Sequence, residues 1–168
     1  MIIEDDWFKD IVVFAVLTGM RRGEIINLRW EDVDFERRLI QVCNSEEFKT
    51  KTGKTRTVPM NENVYQLLKR RSHISSNGLI FLFEEKKIRE DFVTKKMRHY
   101  SRKAGLNSKV HFHTLRHTFA TWLVQGSVSI YEVQKLLGHS SISVTQVYSD
   151  LAPSELHAAV NKNAITTN

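Results

Sequence analysis

The chain has 168 residues, 41% hydrophobic and 26% charged, and this ordinary globular composition excludes an intrinsically disordered protein. Its one cysteine, Cys43, excludes an intrachain disulfide and a cysteine-based zinc site, and a lone free thiol is typical of a reducing cytoplasm. The longest apolar run, residues 11–17, is too short to cross a bilayer, and residues 4–6 are acidic where a signal peptide needs basic side chains. We therefore expect one cytoplasmic domain with no membrane segment.

Basic residues are concentrated in the middle of the chain. The formal net charge is +6, yet residues 1–48 carry 6 basic and 11 acidic side chains, whereas residues 49–116 carry 17 basic and 5 acidic ones. A local basic excess indicates an acidic partner, of which nucleic acid is the commonest. Many soluble proteins have a similar overall charge, so this observation does not decide the partner by itself.

Hydrophobic spacing and capping residues predict three helices and two strands in the first half of the chain. In order, these are a helix that starts at Asp5 or Asp6 and is ended by Gly19, a short helix from Arg21 or Arg22 to about Leu28, strands over residues 38–43 and 54–59, and a helix that Asn61 or Asn63 caps and that runs to about Arg71. Residues 51–54 lie at the turn between the two strands.

The second half is predicted to be mainly helical. Its elements are a short buried strand or its equivalent over residues 79–83, a basic helix from about Asp91 to Lys103 that stops at Gly105, a helix over 113–125 ended by Gly126, a helix over Ile130–Leu137 with Ser129 and Glu132 as a capping box, a short helix around 144–149, and a last helix after Pro153. The predicted fold class is therefore α+β, mainly α, with one small antiparallel sheet near the N-terminal third.

Cationic side chains fall at places where an anion is favoured. His113 and Arg116 lie three residues apart at a helix start, so they share a face to which free N–H groups and the helix dipole attract an anion. Arg21 is unfavourable beside another helix N-terminus unless an anion lies near it. Lys51 lies at the tip of the basic hairpin, where a solvated charge is the ordinary explanation.

His139, in the turn that ends a helix, and Tyr148, which has no obvious amphipathic role, complete the set. Singly, each of the six side chains has an ordinary structural explanation. Together they supply what is needed to hold a phosphodiester and to attack it. Arginines bind phosphate oxygens in a bidentate way, a lysine or histidine moves protons, and a tyrosine forms a covalent intermediate.

The motifs around these residues resemble those of a known family. The matching segments are residues 18–24 followed by Leu28 and residues 32–34, residues 51–53 leading to Val58 and Pro59, residues 113–121, and residues 136–140 followed by Thr145 and Tyr148. On these segments the chain resembles the catalytic domain of the tyrosine recombinases, also called the phage integrase family. The resemblance extends over nearly the whole chain and implies six catalytic residues: Arg21, Lys51, His113, Arg116, His139 and Tyr148.

The resemblance also implies the role of each residue. Tyr148 attacks DNA to form a 3′-phosphotyrosyl link, while the two arginines bind the non-bridging oxygens and lower the pKa of the phenol. His113 shuttles the phenolic proton, His139 donates a hydrogen bond to the phosphate, and Lys51 protonates the departing 5′ oxygen. Glu24 is expected to pair with buried cations rather than to catalyse. No metal or nucleotide cofactor is implied.

Double-stranded DNA is the implied partner. Residues 86–116 carry 10 basic and 2 acidic side chains, which favours contact with the DNA backbone, although a solvated helix face is the alternative. The DNA-binding candidates are Lys54, Lys95, Lys96, Arg98, Arg102 and Lys103.

The domain organisation departs from the family in one respect. Members usually carry an amino-terminal helical domain, and no segment here corresponds to it. We therefore expect residues 1–168 to be an excised catalytic domain, or else a naturally short member. The isolated domain is expected to be a monomer and the full-length protein to assemble as a tetramer on DNA. Residues 153–160 are expected to pack on a neighbouring protomer or on their own domain.

Three other functions are alternatives for this sequence. A metal hydrolase would use His111, His113, His117 and His139, but residues 113–131 contain no cysteine and no acidic residue. A type IB topoisomerase shares the chemistry, but its motifs resemble this sequence less. An inactive DNA-binding module is disfavoured because none of the six candidate residues is missing.

Overall fold

The structure is a computed structural model, and it describes residues 2–43, 55–72 and 78–149. The described helices are α1 (Asp6–Thr18), α2 (Arg22–Ile26), α3 (Glu62–Arg71), α4 (Glu90–Lys103), α5 (Phe112–Gln125), α6 (Ile130–Leu137) and α7 (Ser143–Gln146). The described strands are β1 (Val33–Asp34), β2 (Leu39–Val42), β3 (Arg56–Pro59), β4 (Leu82–Phe83) and β5 (Lys86–Lys87). The predicted α+β, mainly α, class is confirmed.

The helix ends follow the predicted capping residues. Asp5 precedes α1, and Gly19 ends it in the left-handed conformation, with φ 62°. The side chain of Asn61 accepts a hydrogen bond from the Val64 N–H at the start of α3. Ser129 caps α6 as predicted. Because these devices act within one turn, the local sequence is enough to place these helix ends. The predicted helix after Pro153 lies outside the described residues.

The strands are the part of the fold that differs most from the prediction. The predicted pair β2 and β3 is joined by β1, so that Ile40 lies opposite both Val33 and Val58 in an antiparallel sheet of order β1-β2-β3. A second sheet is formed by β4 and β5, which pair antiparallel. A two-residue strand carries no alternation of apolar and polar side chains, so β1 and β5 have no sequence signal.

The predicted buried segment 79–83 divides between two partners. Leu79 forms an isolated bridge with Arg29, whereas Leu82–Phe83 belong to β4. Glu84 and Glu85 form the turn of this hairpin with positive φ values of 50° and 61°. This conformation has no glycine to mark it, which explains why the hairpin was not predicted.

The buried hydrophobic side chains of the described residues form two clusters. The larger one surrounds α1, whose residues Phe8, Ile11 and Phe14 are fully buried, and it includes side chains of α3, α4 and the three-stranded sheet. The smaller one consists of Ala120, Val124, Val133, Leu137 and Tyr148. Since α1 packs against α5, the two clusters adjoin along these helices. No helix in the described ranges is both long and apolar enough to span a membrane.

Candidate active site

Five of the six predicted site residues come together where α1, α2, α5 and α6 meet. Arg116 lies on α5, Arg21 directly precedes α2, and His139 follows α6. His113 lies one turn before Arg116, and Tyr148 follows α7. The sixth predicted residue, Lys51, lies outside the described residues.

Arg116 connects the ends of two helices. Its side chain is buried, with 3% of the residue exposed; Nη1 donates to the Gly19 carbonyl at 2.7 Å and Nη2 to the Leu137 carbonyl at 2.5 Å. Both carbonyls lie at the C-terminal ends of helices, where the dipole is negative and stabilises a cation. Burial, with the charges of Arg21 and Arg56, lowers the pKa of Arg116 to about 9, so the guanidinium remains charged at neutral pH. Its position is therefore set before any substrate binds.

Glu24 lies buried between two further arginines. Its carboxylate accepts hydrogen bonds from Nη1 and Nη2 of Arg56 at 2.8 and 2.7 Å. It also accepts hydrogen bonds from Nη1 and from the backbone N–H of Arg21 at 2.9 and 2.8 Å. Burial raises the pKa of Glu24, but the hydrogen bonds and charges of Arg56 and Arg21 outweigh burial and hold this pKa below its usual value. Glu24 is thus the structural partner expected from the sequence. With Arg116, the cluster contains three guanidinium groups and one carboxylate, a net charge of +2.

Arg56 is a site residue that was not predicted from the sequence. It lies on β3, and its Nε donates to the Leu136 carbonyl at 3.0 Å. Its Cδ would be 2.7 Å from a Cβ added at Gly138, whose φ is 66°. Arg56 therefore supports the turn that carries His139. Strand alternation from buried Val58 places residue 56 on the inward face, and this signal was available in the sequence.

The two predicted catalytic histidines are neutral at neutral pH. Burial, with His117 and Arg116 nearby, lowers the pKa of His113 to about 4. Burial, with the charges of Arg116 and Arg21, lowers the pKa of His139 to about 4. Nδ1 of His139 lies 2.9 Å from Oγ1 of the buried Thr145. This contact fixes the orientation of the ring in the turn after α6.

The pKa of Tyr148 differs from the value expected for the nucleophile. The residue is only 6% exposed, and burial raises the pKa of its phenol more than the charge of Arg116 lowers it. The expected lowering of this pKa is therefore wrong for the DNA-free protein. The charge of Arg116 acts in the predicted direction, but desolvation of the phenolate is the larger effect.

The partner of the phenol also differs from the expectation. The Tyr148 hydroxyl is hydrogen-bonded to Nδ1 of His117, whereas His113, the expected proton shuttle, packs edge-on against His117 with ring centroids 5.0 Å apart. From the sequence, the one role considered for His117 was that of a metal ligand. Its i, i+4 spacing from His113 was the available signal that both imidazoles share one face of α5. Within the described ranges, no three histidine, cysteine or acidic side chains are placed to hold a metal ion.

The DNA-binding candidates on α4 separate into two groups. Lys96 pairs with Asp5 at 2.6 Å, and Lys103 pairs with Glu4. Lys95, Arg98 and Arg102 are exposed and follow one another at helical spacing on a single face of α4, where Lys95 lies 3.7 Å from Asp91 of the same helix. This second group presents the basic surface, while the first is paired with the N-terminal segment. Lys54 lies outside the described residues.

Residues 4–155 match the family described as the phage integrase family. The chain belongs to this family. It is 32% identical to the tyrosine recombinase XerA of Pyrococcus furiosus, over 99% of this chain and 59% of the relative. The catalytic domain of bacteriophage HP1 integrase superposes with a TM-score of 0.70 at 26% identity, covering 94% of this chain and 83% of that one.

The fold also matches that of a transposon integrase. The Tn1549 integrase, solved in complex with transposon right end DNA, superposes with a TM-score of 0.79 at 24% identity, over 94% of this chain and 58% of that one. This phage integrase family member spans about half the length of the curated relatives it matches. The resemblance found in the sequence is thereby confirmed, and the metal hydrolase and the topoisomerase are not supported.

Proposed function

We propose that this domain cuts and rejoins double-stranded DNA at specific sites through a 3′-phosphotyrosyl intermediate on Tyr148. The observation that carries the proposal is a cluster in which Glu24 binds Arg21 and Arg56, together with the buried guanidinium of Arg116, whose charge acts on the Tyr148 phenol. A net charge of +2 in a desolvated site is complementary to a phosphodiester.

The arginines supply the binding and the transition-state charge. Arg116 is fixed by two carbonyls, and Arg21 is held by Glu24 while 18% of its side chain remains exposed. Donors held in advance at the non-bridging oxygens stabilise the extra charge of a pentacoordinate phosphorus without further reorganisation. A planar fork of donors suits this task better than an ammonium group.

We assign His139 to phosphate binding as well. When the Thr145 hydroxyl donates to Nδ1, the proton of the neutral ring is on Nε2, where it can be donated to a phosphate oxygen. We assign protonation of the departing 5′ oxygen to Lys51, on the motif match alone. The phosphotyrosyl bond conserves the energy of the phosphodiester, so a 5′-hydroxyl can reverse the reaction without a metal or a nucleotide cofactor.

DNA contact is assigned to the exposed face of α4 formed by Lys95, Arg98 and Arg102, together with Lys54. Phosphate contacts of this kind give affinity and register, while the target sequence is selected by other contacts. We further propose that the protein acts in the cytoplasm. In this proposal the isolated domain is a monomer, and the full-length protein assembles as a tetramer on DNA.

The experiment that tests the function is covalent trapping on a nicked suicide substrate in EDTA. The wild-type protein is expected to form an adduct that maps to the peptide containing Tyr148, and Tyr148→Phe to form none while DNA affinity changes by a few-fold at most. Tyr131→Phe is the matched control, since Tyr131 is 67% exposed on α6. An adduct that survives in Tyr148→Phe contradicts the assignment.

A further inference from the structure

His117 contacts the reacting atom of the proposed nucleophile. Its Nδ1 is hydrogen-bonded to the Tyr148 hydroxyl, and the two ring centroids are 5.9 Å apart. The contact joins α5 to the segment after α7, across 31 residues of sequence. A general base must lie within hydrogen-bond reach of the proton that it takes. Of His113, His117 and His139, the histidine that is hydrogen-bonded to the phenol is His117.

We propose that His117 is the general base that takes the phenolic proton of Tyr148. This inference rests on the proposed function, in which Tyr148 is the nucleophile. As the phenolic oxygen bonds to phosphorus, its proton moves to Nδ1 of His117, and the bond from phosphorus to the 5′ oxygen breaks. The 5′ oxygen takes its proton from the general acid, which we assign to the ammonium group of Lys51. In rejoining, His117 returns the proton as the tyrosine departs.

The protonation states of the two groups agree with this role. Burial raises the pKa of Tyr148, so the phenol still carries its proton at neutral pH and needs an acceptor. Burial, together with electrostatic interactions with His111 and Arg116, lowers the pKa of His117, so its ring is neutral at neutral pH and Nδ1 can accept. The groups that face His117 are His111, His113 and Arg116 from its own helix and Tyr148 from the segment after α7.

His113 contacts His117 in this arrangement. Their rings meet edge-on at an angle of 87°, and the hydrogen bond to the Tyr148 hydroxyl is formed by His117. His113 and Arg116 are three residues apart on the same helix, so His113 is placed to bind the phosphate beside the guanidinium. In this proposal the proton transfer that the sequence motif assigned to His113 belongs to His117.

Replacing His117 by asparagine separates a base from a hydrogen-bond acceptor. The amide oxygen of asparagine reaches close to the position of Nδ1 and accepts a hydrogen bond, but it takes no proton at neutral pH. His117→Asn and His117→Ala are both expected to slow adduct formation by roughly 10²-fold or more, as for a lost general base. Rates are measured in single turnover on the nicked substrate at saturating DNA, and DNA affinity and melting temperature are recorded for each variant.

A nucleophile of lower pKa provides the decisive comparison. With a fluorinated tyrosine at position 148, the phenol ionises more readily and depends less on a base. Most of the loss in the two His117 variants is then expected to be recovered, whereas His113→Asn should show no such recovery. His111→Asn is the matched control, because asparagine preserves the N-cap of α5 while removing a neighbouring imidazole.

The outcomes that overturn the inference are distinct. Full activity of His117→Asn beside an inactive His117→Ala would show that His117 only positions the phenol. Wild-type rates in both variants, or recovery by the fluorinated tyrosine only in His113→Asn, would exclude His117 as the base. All three leave the wild-type adduct intact. Failure of the wild-type protein to form any adduct at Tyr148 would instead overturn the proposed function, and this inference with it.

Discussion

Arg56 and Glu24 form a bidentate ion pair that joins β3 to α2, with both side chains nearly inaccessible to solvent at 9% and 1% exposure. The same guanidinium donates to the Leu136 carbonyl at the end of α6. One side chain thus connects the sheet, the helix after Arg21 and the turn before His139. The geometry of the candidate site depends on this connection as much as on the residues expected to touch DNA.

Arg56→Gln should therefore lower the free energy of unfolding by about 3 kcal/mol, because it leaves the buried Glu24 carboxylate with Arg21 alone. Urea unfolding measures the effect. Arg37→Gln breaks an exposed pair with Asp34 and should cost less than about 1 kcal/mol. Equal losses in the two variants would show that burial does not strengthen the Arg56 pair.

Gly138→Ala should disturb the turn that carries His139. Its φ of 66° strains an alanine, and the added Cβ would meet Arg56 Cδ at 2.7 Å. Gly105 has the same φ with no atom within 4 Å of its added Cβ, so Gly105→Ala measures backbone strain alone, about 1 kcal/mol.

Gly138→Ala is expected to cost about 1–3 kcal/mol more than this control, owing to overpacking. Adduct formation should fall in Gly138→Ala and remain unchanged in Gly105→Ala. Unfolding midpoints and trapping rates for both variants test the prediction, and indistinguishable stabilities would contradict it.

Acidification should destabilise the domain through its neutral histidines. The pKa values of His113 and His139 are about 4 in the folded protein, below the ordinary value of 6.5, so the unfolded chain binds more protons between these values. Their contribution to stability is complete above pH 6.5 and is lost as the pH falls towards 4. Since both rings keep some contact with solvent, we expect a loss of about 1 kcal/mol between pH 7 and pH 5.

The double variant His113→Gln, His139→Gln isolates this contribution. Its free energy of unfolding should depend less on pH over the same window than that of the wild-type protein. Glu24, whose pKa is lowered, acts in the same direction but only at lower pH. Parallel pH profiles of the double variant and the wild-type protein would contradict the assignment.

The exposed face of α4 should account for part of the salt dependence of DNA binding. Arg98→Gln and Arg102→Gln should each weaken binding and reduce the slope of log K against log salt by about 1. Lys96→Gln and Lys103→Gln remove side chains already paired with Asp5 and Glu4, and they should change the slope little. Slopes that fall equally for both pairs would show that the pairing with the N-terminal segment opens on DNA.

Lys51→Ala tests the assignment of the general acid. On ordinary DNA it should slow cleavage by roughly 10²–10⁴-fold, as for a lost acid. A bridging 5′ sulfur leaves as a thiolate, whose parent thiol has a pKa of ~8.5, so most of the loss should vanish on this substrate. Arg116→Ala should remain defective there, because its charge acts on the non-bridging oxygens. A persistent defect of Lys51→Ala on the sulfur substrate would assign this lysine to binding or positioning rather than to proton donation.

The sequence alone was sufficient for features that are decided locally. Capping by Asn61 and Ser129 determines where two helices begin, because each cap acts within one helical turn. The motif residues were identified by type and order, and these properties are independent of conformation. The two-residue strands β1 and β5 were not predictable, because segments of this length have no periodicity to detect.

The tertiary structure decided how the site residues act on one another. Arg56 and Glu24 are 32 residues apart, and His117 and Tyr148 are 31 residues apart, so these contacts exist only after distant segments pack. The pKa of Tyr148 also depends on the tertiary structure. The sequence correctly indicated that Arg116 would lower it, but only the fold determines how deeply the phenol is buried, and the cost of desolvating a phenolate exceeds the attraction of that charge.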